Sequence, residues 1–552
     1  MSETATTTQP EQQKQQKQQP SVARASGSMA IATIVSRGTG LLSKVLLIAV
    51  IGAEVLGDSY QAASTLPTMI NELLLGGVLT SVAIPLLVRA EKEDGDGGES
   101  YAQWLISMGT LILGIGTVIA MACAPLLTKI YISDSQDANP ELVTAFAYLV
   151  LPGIVFYGLT ALLSAVLNAR HVFGIPTWAP VLNNVVVIGV LGVYALLPGE
   201  LTLNPVRMTD THLLVLGLGT ALGVLVQASV LFPALKKTGF KFKWRIGWDS
   251  RLSEFGGLAF WVLLYVGLGL ASMTVLTKVA TSAAGTLTAF NYQWLIAQVP
   301  YGVLGVSLLT ALMPKMSRAA ANDDNESIVR DLLFGNRMSA ILLMPFSALM
   351  TVSGLAIGLA VFALGASGVE GGTRIGLALA LSAFGLVPYA ITLLQLRVFY
   401  AMKDARTPTV IQALIVAVRI GLLFLFREVS APGDASQLAV GVSLAMSLSF
   451  VFGAIVGQVW LRIRLGRLRT GFTIWTVCLT VVASSLAFGA AKALNWLVQD
   501  LFGFSSVIVA SWVEVVLVTL IGLPLAFGLL AAFRVPEMKP AIDKINRLVR
   551  RR

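Results

Sequence analysis

The sequence predicts an all-α protein that crosses a membrane about fourteen times, and three observations predict this fold class. Of its 552 residues 56% are hydrophobic and only 12% are charged, whereas soluble proteins carry about 25% charged residues. The mean hydropathy is +0.79. Apolar stretches of about 20 residues, the length that a membrane-spanning helix needs, recur almost to the end of the chain. These features exclude a soluble enzyme, a disordered protein and a collagen.

Each apolar stretch is predicted to be a helix, because lipid offers no partners for unpaired backbone groups. The predicted spans are 28–53, 62–88, 104–130, 142–167, 178–197, 213–235, 255–279, 287–313, 338–364, 375–401, 408–426, 438–460, 472–494 and 507–533. We divide the chain into a disordered cytoplasmic tail (1–27), a six-helix lobe (28–236), a basic cytoplasmic linker (237–254), a second six-helix lobe (255–461), two additional helices (462–534) and a basic cytoplasmic tail (535–552).

An internal repeat relates the two predicted lobes. Gly76 is followed nine residues later by Pro85, and Gly305 is followed nine residues later by Pro314. A second pair of segments, 168–177 and 400–409, shares its spacing of small residues and proline at a similar offset. Six spans separate the copies, so both have the same orientation. A parallel repeat of this kind is typical of transporters.

Lysine and arginine alternate between the connecting segments. The segments assigned to one side hold about 29 basic residues and the opposite segments hold about six. Basic residues concentrate on the cytoplasmic side of membrane proteins, so both termini are expected to be cytoplasmic. The net charge of +10 follows from this bias and does not indicate nucleic-acid binding.

The residues that usually carry enzyme chemistry are sparse. Cys123 and Cys478 lie inside apolar stretches, and His171 and His212 lie at the edges of stretches in unrelated contexts. This distribution supports neither a disulfide framework nor a metal site. We therefore expect a protein that is not an enzyme and has no catalytic residue, metal or cofactor; coupling to the membrane potential or to an ion is left open.

Charged residues within the predicted spans are the informative ones, because each costs about 2.5–3.5 kcal/mol or more at the bilayer centre unless it faces a cavity or a partner. Arg37 and Lys44 lie seven residues apart on one face of the first span. They either line a water-filled cavity that binds an anion, or serve structure: Arg37 then reaches the headgroups and Lys44 pairs with Glu72. Lys278 is either an interfacial residue or part of the site.

Other polar and helix-bending residues complete the candidate set. Asn71 and Glu72 follow Pro67 in the second span, where Glu72 either pairs with Lys44 or carries a coupling proton. Pro67 and Pro300 are predicted to bend helices near the cavity. Arg397 is assigned a structural or cytoplasmic-gate role. Arg419 lies either in a site or in a buried pair. Glu54 and Asp58 are expected to be solvated in a short outer turn.

Four segments resemble the MurJ/MviN lipid II flippases of the multidrug/oligosaccharidyl-lipid/polysaccharide exporter superfamily. They are Ser36 to Gly40; Leu66-Pro67 through Pro85; Leu167-Asn168 through Pro176 with Ala179, Pro180 and Asn183; and the combination of Pro300 to Gly305 through Pro314 with Phe399 to Pro408. The acidic-rich segment after Pro85 resembles actinobacterial members. Within these motifs the resemblance implies gate or structural roles for Gly40, Asp404 and Pro408.

The resemblance implies two six-helix lobes around a cationic cavity and two extra helices that form a lipid-facing groove. It also implies the substrate, lipid II, moved from the inner to the outer leaflet of the bacterial cytoplasmic membrane by alternating access. The implied partners are lipid II and membrane lipids, with cell-wall synthesis or division proteins as further candidates. A flippase for another polyprenyl-linked glycan, an ion-coupled drug exporter and a non-transporting scaffold are the alternatives.

The sequence departs from the family at the cavity arginines. Arg37 matches the family's first-span arginine, but Ser43, with Lys44 beside it, replaces the second. Asn71 and Leu295 stand at the other two positions. Lys44 either substitutes for one of the missing arginines or, because a shift of one residue turns a side chain about 100° around a helix, presents its charge in a different direction. The resemblance therefore implies a pyrophosphate site in which Arg37 is the one retained arginine.

Overall fold

The computed structural model describes residues 31–76, 84–135, 137–247, 256–466, 468 and 470–539. Within these ranges the chain is helical with irregular connections and contains no strand. The predicted disordered tail over residues 1–27 lies outside the described residues, as do residues 248–254 of the basic linker and residues 540–552 of the C-terminal tail.

Twenty α-helices make up the described chain. They are α1 (Ile31–Ile51), α2 (Val55–Asn71), α3 (Ile84–Glu93), α4 (Glu99–Ala122), α5 (Ala124–Tyr131), α6 (Pro140–Val150), α7 (Gly153–Ala169), α8 (Gly174–Leu196), α9 (Thr211–Ser229), α10 (Leu231–Lys237), α11 (Gly256–Ala280), α12 (Thr286–Pro300), α13 (Val306–Ala321), α14 (Asn325–Phe362), α15 (Gly368–Ser382), α16 (Leu386–Ala401), α17 (Arg406–Val429), α18 (Ala435–Leu465), α19 (Gly471–Phe502) and α20 (Val507–Ala532).

The observed helices agree with the predicted spans. Among the described residues, twelve helices are long and apolar enough to cross a membrane, and the bent pair α6 and α7 makes a thirteenth. The remaining predicted span, 62–88, includes the undescribed residues 77–83. The prediction of an all-α polytopic membrane protein is confirmed.

Several helices extend beyond their apolar stretches. Helix α14 begins at Asn325, well before the predicted start at residue 338, because the carboxylate of Asp324 caps it by accepting a hydrogen bond from Ser327 N at 3.0 Å. The hydrogen bond from the Ser327 side chain also lowers the pKa of Asp324. Hydropathy detects the apolar part of such a helix, whereas the polar cap decides where the helix begins.

The chain forms two compact units that do not follow the lobe boundaries in sequence order. Unit 1 contains residues 1–47, 63–124 and 144–259; unit 2 contains 48–62, 125–143 and 260–552. The end of α1, the beginning of α2, most of α5 and the connection after it therefore group with the second half of the chain.

In unit 1, glycines allow α8 and α9 to pack closely. A Cβ on Gly219 would lie 2.4 Å from Val190 Cγ1, and one on Gly223 would lie 2.2 Å from Asn183 Oδ1. Both contacts are too short for any side chain larger than hydrogen.

In unit 2, α14 packs against the hairpin of the last two helices, α19 and α20. Phe488 is fully buried there, and its ring lies against Gly522, where a Cβ would come within 2.4 Å. Lys492 of α19 forms an ion pair with Glu514 of α20. These contacts hold the hairpin with both apolar packing and a charge pair.

The internal repeat predicted from the sequence recurs in the backbone. Two π-helical segments, Glu72–Gly76 and Tyr301–Gly305, end at the repeated glycines and so occupy matching positions in the two copies. Helices α7 and α16 end at Ala169 and Ala401, which match in the second pair of repeated segments. Helices α8 and α17 begin at positions that match in the same register. The repeated sequence segments thus encode the same interruptions of helix.

The first copy of the repeated turn follows α7. His171 N donates to Asn168 O at 3.0 Å, and Val172 N donates to Leu167 O at 2.8 Å. His171 has a φ of +59°, in the left-handed region that few side chains adopt.

The second copy follows α16 and repeats each bond at the matching residues. Lys403 N donates to Tyr400 O at 3.0 Å, and Asp404 N donates to Phe399 O at 3.0 Å. Lys403 has a φ of +58°. Because backbone bonds and dihedrals both recur, the repeat extends to local geometry.

Candidate functional site

The two cations of α1 differ in exposure. Arg37 is exposed and Lys44 is half-buried. Ser43, at the position of a family arginine, is buried, and its hydroxyl donates to Gly40 O of its own helix at 2.9 Å. The guanidinium of Arg37 is therefore exposed on the surface of α1, whereas the hydroxyl of Ser43 is bonded to the backbone of its own helix.

Gly40 lets an asparagine of α8 approach α1. A Cβ at Gly40 would lie 3.3 Å from Asn184 Nδ2. That amide donates to Ser36 O and to Thr39 Oγ1, each at 3.0 Å. Gly40 thus has a structural role, since it permits a polar link between two helices of unit 1 one turn from Arg37.

The second helix contains Pro67 and changes to a π-helical segment after Asn71. Pro67 lies inside α2, and Asn71 ends it. Glu72 is exposed at the start of the π-helical segment and forms no ion pair among the described residues. Asn71 Oδ1 is buried without a hydrogen-bond partner in the described part of the chain. Asn71 and Glu72 are therefore neighbours that differ in solvent access.

Lys278 and Pro300 lie at the ends of two helices of unit 2. Lys278, in the last turn of α11, is half-buried and its Nζ donates to Lys129 O at 3.5 Å. Pro300 ends α12 and is followed directly by the second π-helical segment. Leu295, at another family arginine position, is half-buried on α12.

Asp404 and Pro408 belong to the start of α17. The Asp404 carboxylate accepts from Thr407 N at 3.0 Å and from Thr407 Oγ1 at 2.7 Å, and lies 3.8 Å from Arg464 Nη1. Pro408 is buried in the first turn, where a missing N–H has no cost. Arg397, in the last turns of α16, is exposed.

Arg419 is buried in α17 among neutral groups. Its Nε donates to Ser449 Oγ at 2.9 Å and its Nη1 donates to Ser272 Oγ at 3.2 Å. Its guanidinium lies 5.1 Å from the centroid of the Phe450 ring. No carboxylate pairs with it in the described ranges. The described residues give Arg419 no charge pair, and this one arginine joins α11, α17 and α18 through two serine hydroxyls.

The expectation that Asp58 is solvated is wrong. Asp58 is only 5% exposed, because α2 begins at Val55 and carries it inward. Its carboxylate accepts from Thr288 N at 2.7 Å, from Thr288 Oγ1 at 2.6 Å and from Gly285 N at 2.9 Å. Asp58 therefore caps the N-terminus of α12, whose free N–H groups favour an anion.

A buried arginine lies beside this cap. Arg374 is 4% exposed and donates to Glu54 Oε1 at 3.1 Å, to Glu370 Oε1 at 3.0 Å and to Ala284 O at 3.1 Å. A Cβ on Gly285 would lie 1.8 Å from Arg374 Nη1. No sequence pattern signals this cluster, since its members lie up to 320 residues apart.

The chemistry of the two units differs accordingly. Unit 1 presents the exposed guanidinium of Arg37 on a helix that is linked to Asn184 of α8. Unit 2 uses Arg374 and Arg419 for internal bonds. The described residues contain no group of three or more His, Cys, Asp and Glu side chains placed to hold a metal. Arg37 is exposed on α1, and binding of an anion there stays a prediction.

Comparison with known proteins identifies the family. The family model described as "Lipid II flippase MurJ" matches residues 47–513. The probable lipid II flippase MurJ of Rhizobium meliloti is 25% identical over 480 residues, which cover 84% of this chain and 87% of that protein. The lipid II flippase MurJ of Burkholderia cenocepacia is 26% identical over 447 residues, covering 79% of each.

Solved structures show the same fold. A lipid II flippase MurJ in an inward closed conformation aligns with a TM-score of 0.69 at 18% identity, over 92% of this chain and 99% of that one. An inward-facing multidrug transporter of the MATE family aligns with a TM-score of 0.63 at 14% identity, over 78% and 95%. Since the family model covers most of the chain, this protein belongs to the lipid II flippase MurJ family.

Proposed function

We propose that this protein moves lipid II, a polyprenyl-pyrophosphate-linked peptidoglycan precursor, from the inner to the outer leaflet of the bacterial cytoplasmic membrane by alternating access. The observation that carries the proposal is the family match over residues 47–513. Relatives that carry this name match along 79–84% of the chain. The protein is a transporter and performs no covalent chemistry on its substrate.

Arg37 is the residue we assign to the pyrophosphate. A pyrophosphate cannot cross hydrocarbon unaided, because a charge at the bilayer centre is costly unless a partner or water accompanies it. A guanidinium binds phosphate oxygens through two parallel hydrogen bonds, and that of Arg37 is exposed on α1. Lys44, Asn71 and Lys278 are secondary candidates, and the polyprenyl tail stays in lipid while the headgroup crosses.

The departures at Ser43, Asn71 and Leu295 favour one alternative substrate class. Ser43 is buried with its hydroxyl bonded to its own helix, and leucine carries no charge. A site with fewer arginines fits another polyprenyl-linked glycan whose headgroup makes fewer anionic contacts. Lipid II and such a glycan differ in the chemistry of their headgroups, so the two substrates are distinguished by identifying the lipid that is transported.

Depletion of the protein in its native cell tests the substrate. Lipid II should accumulate in the inner leaflet while its synthesis continues, and wild-type protein should restore export. The variant Arg37→Ala should fail to restore it, whereas Arg330→Ala, an exposed arginine at the polar start of α14, should succeed. Normal lipid II export with accumulation of a different polyprenyl-linked glycan would support the alternative substrate.

We also propose that both termini are cytoplasmic, on the basis of the basic-residue asymmetry. The native Cys123 and Cys478 would first be replaced by serine. A cysteine at exposed Asp137 should then react with an impermeant thiol reagent added outside intact cells, and one at exposed Lys241 should not. The reverse labelling pattern would invert the topology. An ion or the membrane potential as driving force, and contacts with cell-wall synthesis or division proteins, stay predictions.

A further inference from the structure

The segment 240–247, which we call the strap, has no regular secondary structure and runs beside the first turns of α4. Gln103 Nε2 donates to Lys241 O at 2.6 Å, and Lys241 N donates to Glu99 Oε1 at 3.2 Å. Further along, Arg245 N donates to Ser107 Oγ at 3.1 Å. Glu99, Gln103 and Ser107 are spaced four residues apart and so form one stripe of the helix.

Two more bonds fix the far end of the strap. Arg245 Nε donates to Gln103 Oε1 at 2.8 Å, and Trp104 Nε1 donates to Gly247 O at 2.7 Å. Gln103 and Ser107 are both buried, and the strap supplies hydrogen-bond partners to both of their side chains. None of the bonds that hold the strap to α4 uses the side chain of Lys241 or Lys243.

Apolar and basic side chains alternate along the strap. Phe242, Trp244 and Ile246 are 45%, 62% and 73% exposed. Lys241, Lys243 and Arg245 occupy the intervening positions and are also exposed. Because all three apolar side chains stay exposed, the strap presents them at the surface of unit 1.

The height of the strap along α4 matches a membrane surface. Its bonds reach residues 99–107 of α4, and the apolar stretch of that helix begins at Trp104. The strap thus lies where the helix passes from polar to apolar. Aromatic side chains concentrate at this level of membrane proteins, and the rings of Phe242 and Trp244 pack edge to face, 5.4 Å apart.

We propose that the strap is an interfacial anchor that binds anionic phospholipids of the leaflet it faces. Phe242, Trp244 and Ile246 enter the headgroup region, while Lys241 and Lys243 contact lipid phosphates. The sign of charge is complementary, because the cytoplasmic leaflet is anionic and the strap lies in the basic segment assigned to that side. No residue of the strap belongs to the proposed lipid II site, and the inference does not depend on the transported substrate.

A fluorescent probe on the strap tests the proposal. The full chain with Cys123→Ser and Cys478→Ser receives Trp244→Cys, labelled with an environment-sensitive dye, and is reconstituted into vesicles of phosphatidylcholine with or without phosphatidylglycerol. The matched control is Asn322→Cys, an exposed position at the end of α13. Ile246→Cys provides a second reporter on the strap.

At position 244 we expect a blue-shifted emission that shallow nitroxide lipids quench and that strengthens with phosphatidylglycerol; position 322 should show neither effect. Each lysine near an anionic surface contributes roughly a fivefold preference. The double variant Lys241→Gln with Lys243→Gln should therefore lower the phosphatidylglycerol preference by about tenfold or more. It leaves the backbone bonds of residue 241 in place.

Two results would overturn the inference. Emission at positions 244 and 246 equal to that at 322 in both vesicle types would show that the strap lies in water. A blue shift of equal size in neutral and anionic vesicles, unchanged by the two lysine substitutions, would show apolar insertion without recognition of anionic lipid.

Discussion

The two halves of the repeat share a backbone turn but use their arginines differently. In the first half Arg37 is exposed on its helix, whereas in the second half Arg419 is buried and bonded to Ser449 and Ser272. The turns at His171 and Lys403 have nearly the same φ, +59° and +58°. The backbone of the turn is thus the same in both halves, whereas Arg37 lies at the surface of its helix and Arg419 forms internal bonds.

The helices that follow the two turns differ in their N-terminal caps. Helix α17 is capped by Asp404, which accepts from Thr407. The first copy has Val172 and Ile175 at the corresponding positions, and α8 has no side-chain cap. A bond shared by both copies lies further into the helix. Thr177 Oγ1 donates to Phe173 O at 2.7 Å, and Thr409 Oγ1 donates to the matching Ala405 O at 2.9 Å.

The largest expected effect is loss of the internal link in the second half. Arg419→Ala should destabilise the protein by about 2–4 kcal/mol, because it removes two charge-assisted hydrogen bonds and leaves a cavity. Thermal unfolding in detergent would measure the loss. Arg427→Ala, an exposed position on the same helix, is the control and should unfold at the wild-type temperature. A stable Arg419→Ala protein with lost transport would instead place Arg419 in the substrate path.

Next in size is the effect of the first-half arginine on transport. Arg37→Ala should lower lipid II export roughly tenfold to a hundredfold, the loss expected from one charge-assisted contact of about 1.5–3 kcal/mol. Arg37→Lys should restore part of it, since an ammonium lacks the bidentate geometry. Protein level and unfolding temperature should match wild type. If export is unchanged in Arg37→Ala combined with Lys44→Ala, the cationic path is wrong.

A smaller loss of stability is expected when the N-terminal cap of α12 is removed. This cap is Asp58, which lies in the segment 48–62 of unit 2. Asp58→Ala should cost about 1–2 kcal/mol, because it removes the acceptor for the first N–H groups of α12. Asp58→Asn keeps one acceptor oxygen and should cost less. Asp137→Ala, at an exposed position of unit 2, serves as the comparison. Equal unfolding temperatures for Asp58→Ala and Asp137→Ala would contradict the capping role.

The smallest effect is expected for the N-cap that is present in the second turn and absent from the first. Asp404→Ala should cost about 1 kcal/mol, the usual value of an N-cap. The double variant Val172→Asp with Ile175→Thr transfers the cap to the first copy, where both native side chains are at least partly exposed. It should raise the unfolding free energy by about 0.5–1 kcal/mol. A loss of stability in the transfer variant would show that the two turns differ in more than their caps.

Much of the fold was predictable because lipid imposes a simple rule. Every span must satisfy its backbone internally, so length and apolarity suffice to find it. The repeat was also visible, because glycine and proline interrupt helices at fixed spacing, and the π-helical segments Glu72–Gly76 and Tyr301–Gly305 lie at that spacing. Helix starts such as Asn325 were missed, since a polar cap carries no hydropathy signal.

The candidate site was predictable only in part. The sequence identified Arg37 as the retained arginine and Ser43 as a departure, and the structure adds that the first is exposed and the second bonded to its own helix. It did not predict that Asp404 acts as a cap for α17. These roles depend on exposure and on partner atoms, which spacing along one helix does not encode.

By itself the sequence determined the membrane class, the approximate spans, the repeat and the family, because each depends on composition or on short-range spacing. Tertiary structure alone decided which charges are internal. Asp58 meets Gly285 across 227 residues, and Arg374 meets Glu54 across 320. Such bonds form where helices distant in the chain converge, and burial there makes an unpaired charge too costly to leave. The role of a charged residue in this protein is therefore fixed by its neighbours in space.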